Sequence, residues 1–168
     1  DFVRKHSYLA RHLSRQITAL LGTQFDLATG LYTRPAWQSQ AREQMRENPA
    51  AAYAVVYVDV DRMHVLNDNH GFEVGDEIIL RIAQVMQAPL LPPDALPARI
   101  TGDRFAIFLA NASAAQAAQV ATDLQRAVGA LSSSIFEAEE RVSLSCGVAP
   151  VVTVEDGVPF DRNVATGC

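Results

Sequence analysis

At 168 residues, the sequence is long enough for one well-buried core and too short for two ordinary domains. Apolar residues make up 49% of it and charged residues 20%, which is typical of a soluble globular protein. The net charge of -5 argues against a nucleic-acid-binding surface, and no apolar run reaches the roughly 20 residues that cross a bilayer.

The start of the chain does not have the pattern of a signal peptide. Basic residues interrupt every candidate apolar segment there, namely Arg4, Lys5, Arg11 and Arg15. The two cysteines form no disulfide framework, and Cys146 lies in an apolar run where a small core residue is expected. We therefore expect a cytoplasmic location, either for the whole protein or for this part of a larger, even membrane-anchored, chain.

Residues 2–22 have the apolar spacing of a helix, with one stripe formed by Leu9, Leu13, Ile17 and Leu20. The stripe is too short to establish a coiled coil. Two interpretations stay open: the end of a longer helix from an upstream module, or a helix that packs on its own domain. We assign residues 1–25 as a linker or signalling helix and residues 26–168 as one domain with an incomplete C-terminal end.

Further along the chain, the pattern predicts alternating helices and strands. A turn-rich stretch over 26–34 leads into a helix over 35–46, and a β-branched strand follows over 53–60. A loop is expected around 67–71. The later elements are a helix over 74–87, a hairpin of strands 98–100 and 105–109, a helix over 114–131 and a strand over 142–151. This order predicts an α/β (α+β) sandwich, with helices flanking a mixed, mostly antiparallel sheet.

Carboxylates follow two of the predicted strands. Asp59 and Asp61 end the first core strand, and Asp103 lies in the hairpin turn. If these strands are sheet neighbours, the carboxylates converge on one edge, where oxygen ligands suit Mg²⁺. Spacing alone leaves open a simpler alternative, in which Asp59 and Asp61 are solvent-exposed residues at a strand end and Asp103 only forms a turn.

Four segments resemble motifs of the GGDEF (diguanylate cyclase) family. The long segment over residues 55–83 resembles D-x-D-x-F-K-x-x-N-D-x-x-G-H-x-x-G-D, and RITGDRFAIFL over 99–109 resembles the R-x-G-G-D-E-F hairpin. DLATGLYTR over 26–34 and VSLSCGVAP over 142–150 are similar to the first turn and the closing strand. The resemblance implies the palm fold of nucleotide cyclases, which is ferredoxin-like.

The resemblance also implies a metal site and a catalytic carboxylate. Asp59, the carbonyl of Val60, and Asp103 match the Mg²⁺ ligands of the family, and Asp103 matches a catalytic position as well. Gly102 matches the glycine that lets the hairpin backbone approach the nucleotide.

Asn67 and Asp76 match the pair that hydrogen-bonds the guanine edge. A carboxylate accepts from the two N–H groups of guanine and would be left unpaired by adenine, so the match favours GTP over ATP. The alternative is that Asn67 shapes a loop and Asp76 caps the next helix.

Three departures from the family pattern bear on chemistry. Thr101 replaces the first signature glycine, and Arg104 replaces the signature glutamate beside the expected metal. Arg104 either competes with Mg²⁺ or pairs with a phosphate. His64 is a weak replacement for the phosphate-facing lysine, because imidazole is shorter and largely neutral at pH 7. Leu91-Pro92-Pro93-Asp94 fills the region of the R-x-x-D product-inhibition motif, so feedback there is not expected.

We therefore expect a degenerate GGDEF domain that binds GTP and acts as a regulatory module in cyclic di-GMP metabolism, with little or no cyclase activity. The alternatives are a working cyclase that joins two GTP molecules and a dimerisation module that binds no nucleotide. The expected partners are GTP, a second copy through the N-terminal helix or a domain face, and an attached EAL or sensor domain. Neither nucleic-acid binding nor membrane contact is expected within this chain.

Overall fold

The computed structural model describes residues 16–87, 89–135 and 141–151, with the backbone alone described for 132–135. Several sequence-based predictions therefore lie outside the described residues. They are the first part of the N-terminal helix, the polar tail over 155–168, and Cys168.

Five helices and five strands are described. Helix α1 covers 16–24, and β1 (Tyr32–Thr33), α2 (Arg34–Glu47), β2 (Tyr53–Val60), α3 (Met63–His70) and α4 (Phe72–Gln87) follow in chain order. The last four elements are β3 (Leu96–Thr101), β4 (Arg104–Ala110), α5 (Ala114–Ile135) and β5 (Leu144–Val151). The strands form one mixed sheet in the order β1-β3-β4-β2-β5, in which only the β1–β3 pair is parallel. The predicted fold class is confirmed.

The sheet is covered on both faces because the side chains of each strand alternate in direction. On one face, α4 and α5 pack on even-numbered residues of β2 and odd-numbered residues of β4, such as Val56 and Ile107. On the other face, α2 contributes Trp37 to a smaller core that includes Val55 and Phe108. Asp59 shares this second face with Val55, because both are odd-numbered residues of β2.

The expected loop at 67–71 is wrong, since these residues complete α3 and the turn after it. The asparagines and aspartate in this stretch suggested a loop because such side chains favour turns over helix interiors. Tertiary packing outweighs that preference: Met63 and Leu66, three residues apart, are buried in the larger core. Gly71 ends the helix with a φ of 86°.

Helix α1 leaves its apolar side chains exposed in the part that the structure describes. Ile17 is 54% exposed and Leu20 is 69% exposed. The C-terminal end of α1 is nevertheless tied to the domain, because the hydroxyl of Thr33 donates to the carbonyl of Thr23 over 3.0 Å. The described part of the stripe therefore does not pack on its own domain. Among the described helices, none has the length and apolar character needed to span a membrane.

Candidate functional site

The β3–β4 hairpin brings Asp103 to the end of β2, as the sequence predicted. The carbonyl of Asp103 accepts a hydrogen bond from the backbone N–H of Val60 over 3.2 Å. Gly102 begins the two-residue turn with a φ of +52°, and no atom lies within 4 Å of the position that a Cβ would take. Glycine suits this position because of its backbone angle rather than because of crowding. Open space therefore lies beside the turn.

Arg104 and Asp59 form an ion pair across the two central strands. They are register partners in the β2–β4 ladder, and Nε of Arg104 lies 3.0 Å from Oδ2 of Asp59. The side chains are 57% and 42% exposed, respectively, so the pair faces solvent. Exposed pairs stabilise a fold by only about 0–1 kcal/mol, so this contact matters more for the charge of the site than for stability.

Magnesium fits this arrangement poorly. Asp59, the Val60 carbonyl and Asp103 are oxygen donors of the kind that Mg²⁺ uses. However, one of the two carboxylates is already bound to a guanidinium, which repels a divalent cation. No group of three or more His, Cys, Asp or Glu side chains that could hold a metal occurs in the described part of the chain. The metal role of these three residues stays a prediction.

Asp61 does not join the other carboxylates. Its side chain accepts hydrogen bonds from the hydroxyls of Ser143 (2.6 Å) and Ser145 (2.5 Å), next to or within β5, on the other side of β2 from Arg104. These hydrogen bonds lower the pKa of Asp61, because they favour its charged form. Burial, with the Asp61 charge nearby, raises the pKa of the neighbouring Cys146 thiol to about 11, so this half-buried cysteine stays protonated at neutral pH. Asp61 thus serves to hold β5 against β2.

The Asp61 contacts predict a pH-dependent contribution to stability. Replacing Ser143 and Ser145 together by alanine should lower the free energy of unfolding at pH 7 by about 1 kcal/mol, since two exposed hydrogen bonds to a charged group are lost. A lowered pKa in the folded state contributes stability above the unfolded value near 3.8, and this contribution is lost as the pH falls through the folded value. Urea unfolding of both proteins should therefore differ at pH 7, and the difference should shrink only as the pH falls below about 3.8. A difference that stays constant with pH would contradict this role.

Arg99 connects the hairpin to the turn over residues 26–34, a contact that sequence reasoning missed. Its Nε donates to the carbonyl of Gly102 over 2.9 Å, and its Nη1 lies 3.3 Å from Oδ1 of Asp26. Burial raises the pKa of Asp26, but hydrogen bonds from Thr29 and the charge of Arg99 outweigh this and lower it. Arg99 and Asp26 each belong to a motif that resembles the family. Their opposite charges were therefore the signal in the sequence from which this ion pair could have been predicted. Their pairing orients the turn that carries Gly102 and Asp103.

The residues matched to guanine recognition lie where α3 meets α4. Asn67 is half-buried in α3, and its Oδ1 is buried without a hydrogen-bond partner among the described residues. A Cβ on Gly75 would lie 1.9 Å from this oxygen, so the Asn67 amide packs directly against the bare backbone of α4. The role of Asn67 in guanine recognition stays a prediction. Asp76, the next residue of α4, is exposed.

Two more residues are exposed near this corner, the predicted site residue His64 and the aromatic Phe72. His64 is the second residue of α3, four residues after the end of β2. Phe72 begins α4, one helical turn before Asp76, and is 77% exposed. The structure therefore presents the matched residues as two groups, one at the hairpin and one at the α3–α4 corner. The two-residue turn between β2 and α3 connects them along the chain.

The arrangement of strands, hairpin and helix corner is that of a known family. A family model described as "Diguanylate cyclase, GGDEF domain" matches residues 23–159. The chain belongs to the GGDEF family. This family acts in cyclic di-GMP metabolism and typically uses Mg²⁺.

Curated relatives of this GGDEF domain are longer proteins. The cyclic di-GMP phosphodiesterase PdeB of Shewanella oneidensis is 32% identical over 128 residues, which are 74% of this chain and 14% of PdeB. The probable diguanylate cyclase DgcC of Escherichia coli is 30% identical over 132 residues, which are 75% of this chain and 34% of DgcC. The chain thus spans about a third or less of each of these relatives.

Solved structures agree in fold. The diguanylate cyclase SiaD from Pseudomonas aeruginosa, solved with its activator SiaC, has a TM-score of 0.73 at 23% identity, over 97% of this chain and 63% of that chain. At that identity the likeness shows the fold alone. The GGDEF domain of TpbB from the same organism has a TM-score of 0.64 at 29% identity, over 76% of this chain and 75% of that chain.

Proposed function

We propose that this GGDEF domain binds GTP as a regulatory module and has little or no cyclase activity. The observation that carries the proposal is the ion pair between Arg104 and Asp59, at 3.0 Å. A cyclase of this family needs charge stabilisation by a metal where the α-phosphate reacts. A guanidinium bound to one of the metal carboxylates removes that stabilisation, and the weak replacement of lysine by His64 removes more.

The residues for recognising the base are retained. Asn67 is held against Gly75, with the NH2 end of its amide as the donor, and Asp76 is exposed on the adjacent helix as the acceptor for the two guanine N–H groups. Gly102 leaves space beside the hairpin for the phosphates. Recognition of the guanine base requires no metal ion, whereas turnover does. Binding therefore persists where turnover is lost.

The isosteric change Asp76→Asn tests GTP binding. It keeps the shape of the side chain but removes the charged acceptor, so GTP affinity should fall roughly 10- to 100-fold and the preference for GTP over ATP should disappear. Calorimetric titration with each nucleotide measures both effects. Asp68→Asn is the matched control, because Asp68 is also exposed near this corner and carries no assigned role.

Chromatography for cyclic di-GMP on the same samples separates the alternatives. Guanine-selective binding without product supports the regulatory module. Product above background would show a working cyclase. If neither GTP binding nor product is found, the proposal fails and a dimerisation module remains.

The regulatory role implies an attached module and a second copy. PdeB extends far beyond the region that resembles this chain, and its name gives a phosphodiesterase activity, which supports an output domain of the EAL type or a sensor domain in the same protein. The exposed Ile17 and Leu20 of α1 form an apolar strip that suits pairing with a second copy. GTP occupancy would then be relayed along α1 or to the output domain.

A further inference from the structure

The candidate site contains a cation that belongs to the protein itself, the exposed guanidinium of Arg104. Arg104 is the first residue of β4, and the contact found for its guanidinium in the described chain uses Nε alone, towards Oδ2 of Asp59. A guanidinium carries five N–H donors in a planar fork that matches phosphate oxygens. The two terminal nitrogens therefore remain to bind a ligand. The hydrogen bond to Asp59 orients the guanidinium plane.

The surroundings of Arg104 suit a phosphate better than a metal ion. Gly102 and Asp103 form a tight turn with open space beside the glycine. Asp103, the carboxylate of the hairpin turn, cannot form a Mg²⁺ site with Asp59 of β2 unless the guanidinium leaves. An anionic phosphate, by contrast, is attracted by the same guanidinium that repels the metal.

We propose that Arg104 replaces Mg²⁺ as the phosphate-binding cation, so that this domain binds GTP without a metal ion. The inference rests on the proposed GTP-binding function and adds the way in which the phosphates are held. Asp59 then changes its role. Instead of binding a metal, it orients Arg104 by accepting from Nε, while its negative charge weakens the attraction of the site for phosphate.

With Asp59 in this role, a substitution of Asp59 should raise GTP affinity rather than lower it. If Asp59 were a metal ligand, Asp59→Asn would weaken nucleotide binding. In the arrangement proposed, asparagine still accepts from Nε of Arg104 but no longer repels the phosphate, so GTP affinity should rise about two- to fivefold. Arg104→Ala removes the cation and should lower GTP affinity about tenfold.

A matched control is available on α5. Arg126 and Asp123 form another ion pair at the surface, 2.9 Å between Nη1 and Oδ1, with Arg126 exposed and Asp123 half-buried, on a helix outside the site. Arg126→Ala and Asp123→Asn change the net charge by the same amounts as the site variants. They should leave GTP affinity unchanged, which separates a local contact from a general effect of charge. Circular dichroism melting checks that every variant is folded.

The deciding experiment is calorimetric titration of the whole chain with GTP, in EDTA and in Mg²⁺ at matched ionic strength. Equal affinity in both buffers, with stronger binding by Asp59→Asn and weaker binding by Arg104→Ala, supports the inference. GTP binding that needs Mg²⁺ and is lost in Asp59→Asn overturns it, while the proposed function stands. Absence of GTP binding in both buffers overturns the proposed function and this inference with it.

Discussion

Replacing Gly75 by alanine should displace Asn67 and thereby weaken both the α3–α4 contact and GTP binding. The new Cβ would lie 1.9 Å from Oδ1 of Asn67 and 2.9 Å from Cε of Met63, so both side chains must move. Overpacking of this kind costs about 1–3 kcal/mol, against a gain of about 1 kcal/mol from alanine in a helix. We expect a net loss of about 1 kcal/mol in the free energy of unfolding and a fall in GTP affinity of about tenfold.

Gly129→Ala is the matched control for this change. Gly129 also lies inside a helix, α5, and no atom lies within 4 Å of the position of its missing Cβ. Alanine there should stabilise the fold by about 0.5–1 kcal/mol and leave GTP affinity unchanged. Urea unfolding and calorimetry of both variants measure the two effects. Should Gly75→Ala stabilise the protein as much as Gly129→Ala, the close contact with Asn67 would carry no strain and no role in positioning the amide.

Truncation of Trp37 to alanine should lower the free energy of unfolding more than the changes at Gly75, Gly129 or Phe72. The indole is 1% exposed between α2 and the sheet, and its Nε1 donates to the carbonyl of Leu96 over 2.9 Å. Loss of such a side chain costs about 3–5 kcal/mol, because a cavity remains and the carbonyl loses its donor. The melting temperature should fall by roughly 10 °C or more. Circular dichroism measures this, since the chain has no other tryptophan for fluorescence.

Two variants separate burial from aromatic character in this result. Phe72→Ala removes an aromatic ring that is 77% exposed, and it should change the free energy of unfolding by no more than about 0.5 kcal/mol. Trp37→Phe keeps much of the buried volume and loses the hydrogen bond to Leu96. Its loss in free energy of unfolding should therefore lie between those of Trp37→Ala and Phe72→Ala. Equal effects of Trp37→Ala and Phe72→Ala would show that α2 does not seal this face of the sheet.

Much of the fold could be predicted from local patterns. The strand over residues 53–60 has the bounds that its β-branched run predicted, and helix α5 starts at Ala114 as expected. Predictions of this kind succeed where one short segment carries both the propensity and the periodicity. They failed at α3, where Asn67 and its neighbours favour a turn locally and only the packing of Met63 and Leu66 makes a helix. The two-residue strand β1 was not predicted either, because it is too short to show alternation.

The sequence by itself established the family resemblance, the class of fold and the residues that depart from the signature, Arg104 above all. It could not decide what Arg104 does, because its partner Asp59 is 45 positions away and the pairing depends on strand register. A slip of one residue would place the two side chains on opposite faces of the sheet. Register likewise pairs Asp61 with Ser143, 82 positions apart, and helix packing sets Asn67 against Gly75. Tertiary structure alone decided these contacts, because charge and size are properties of single residues, whereas distance between them is a property of the folded chain.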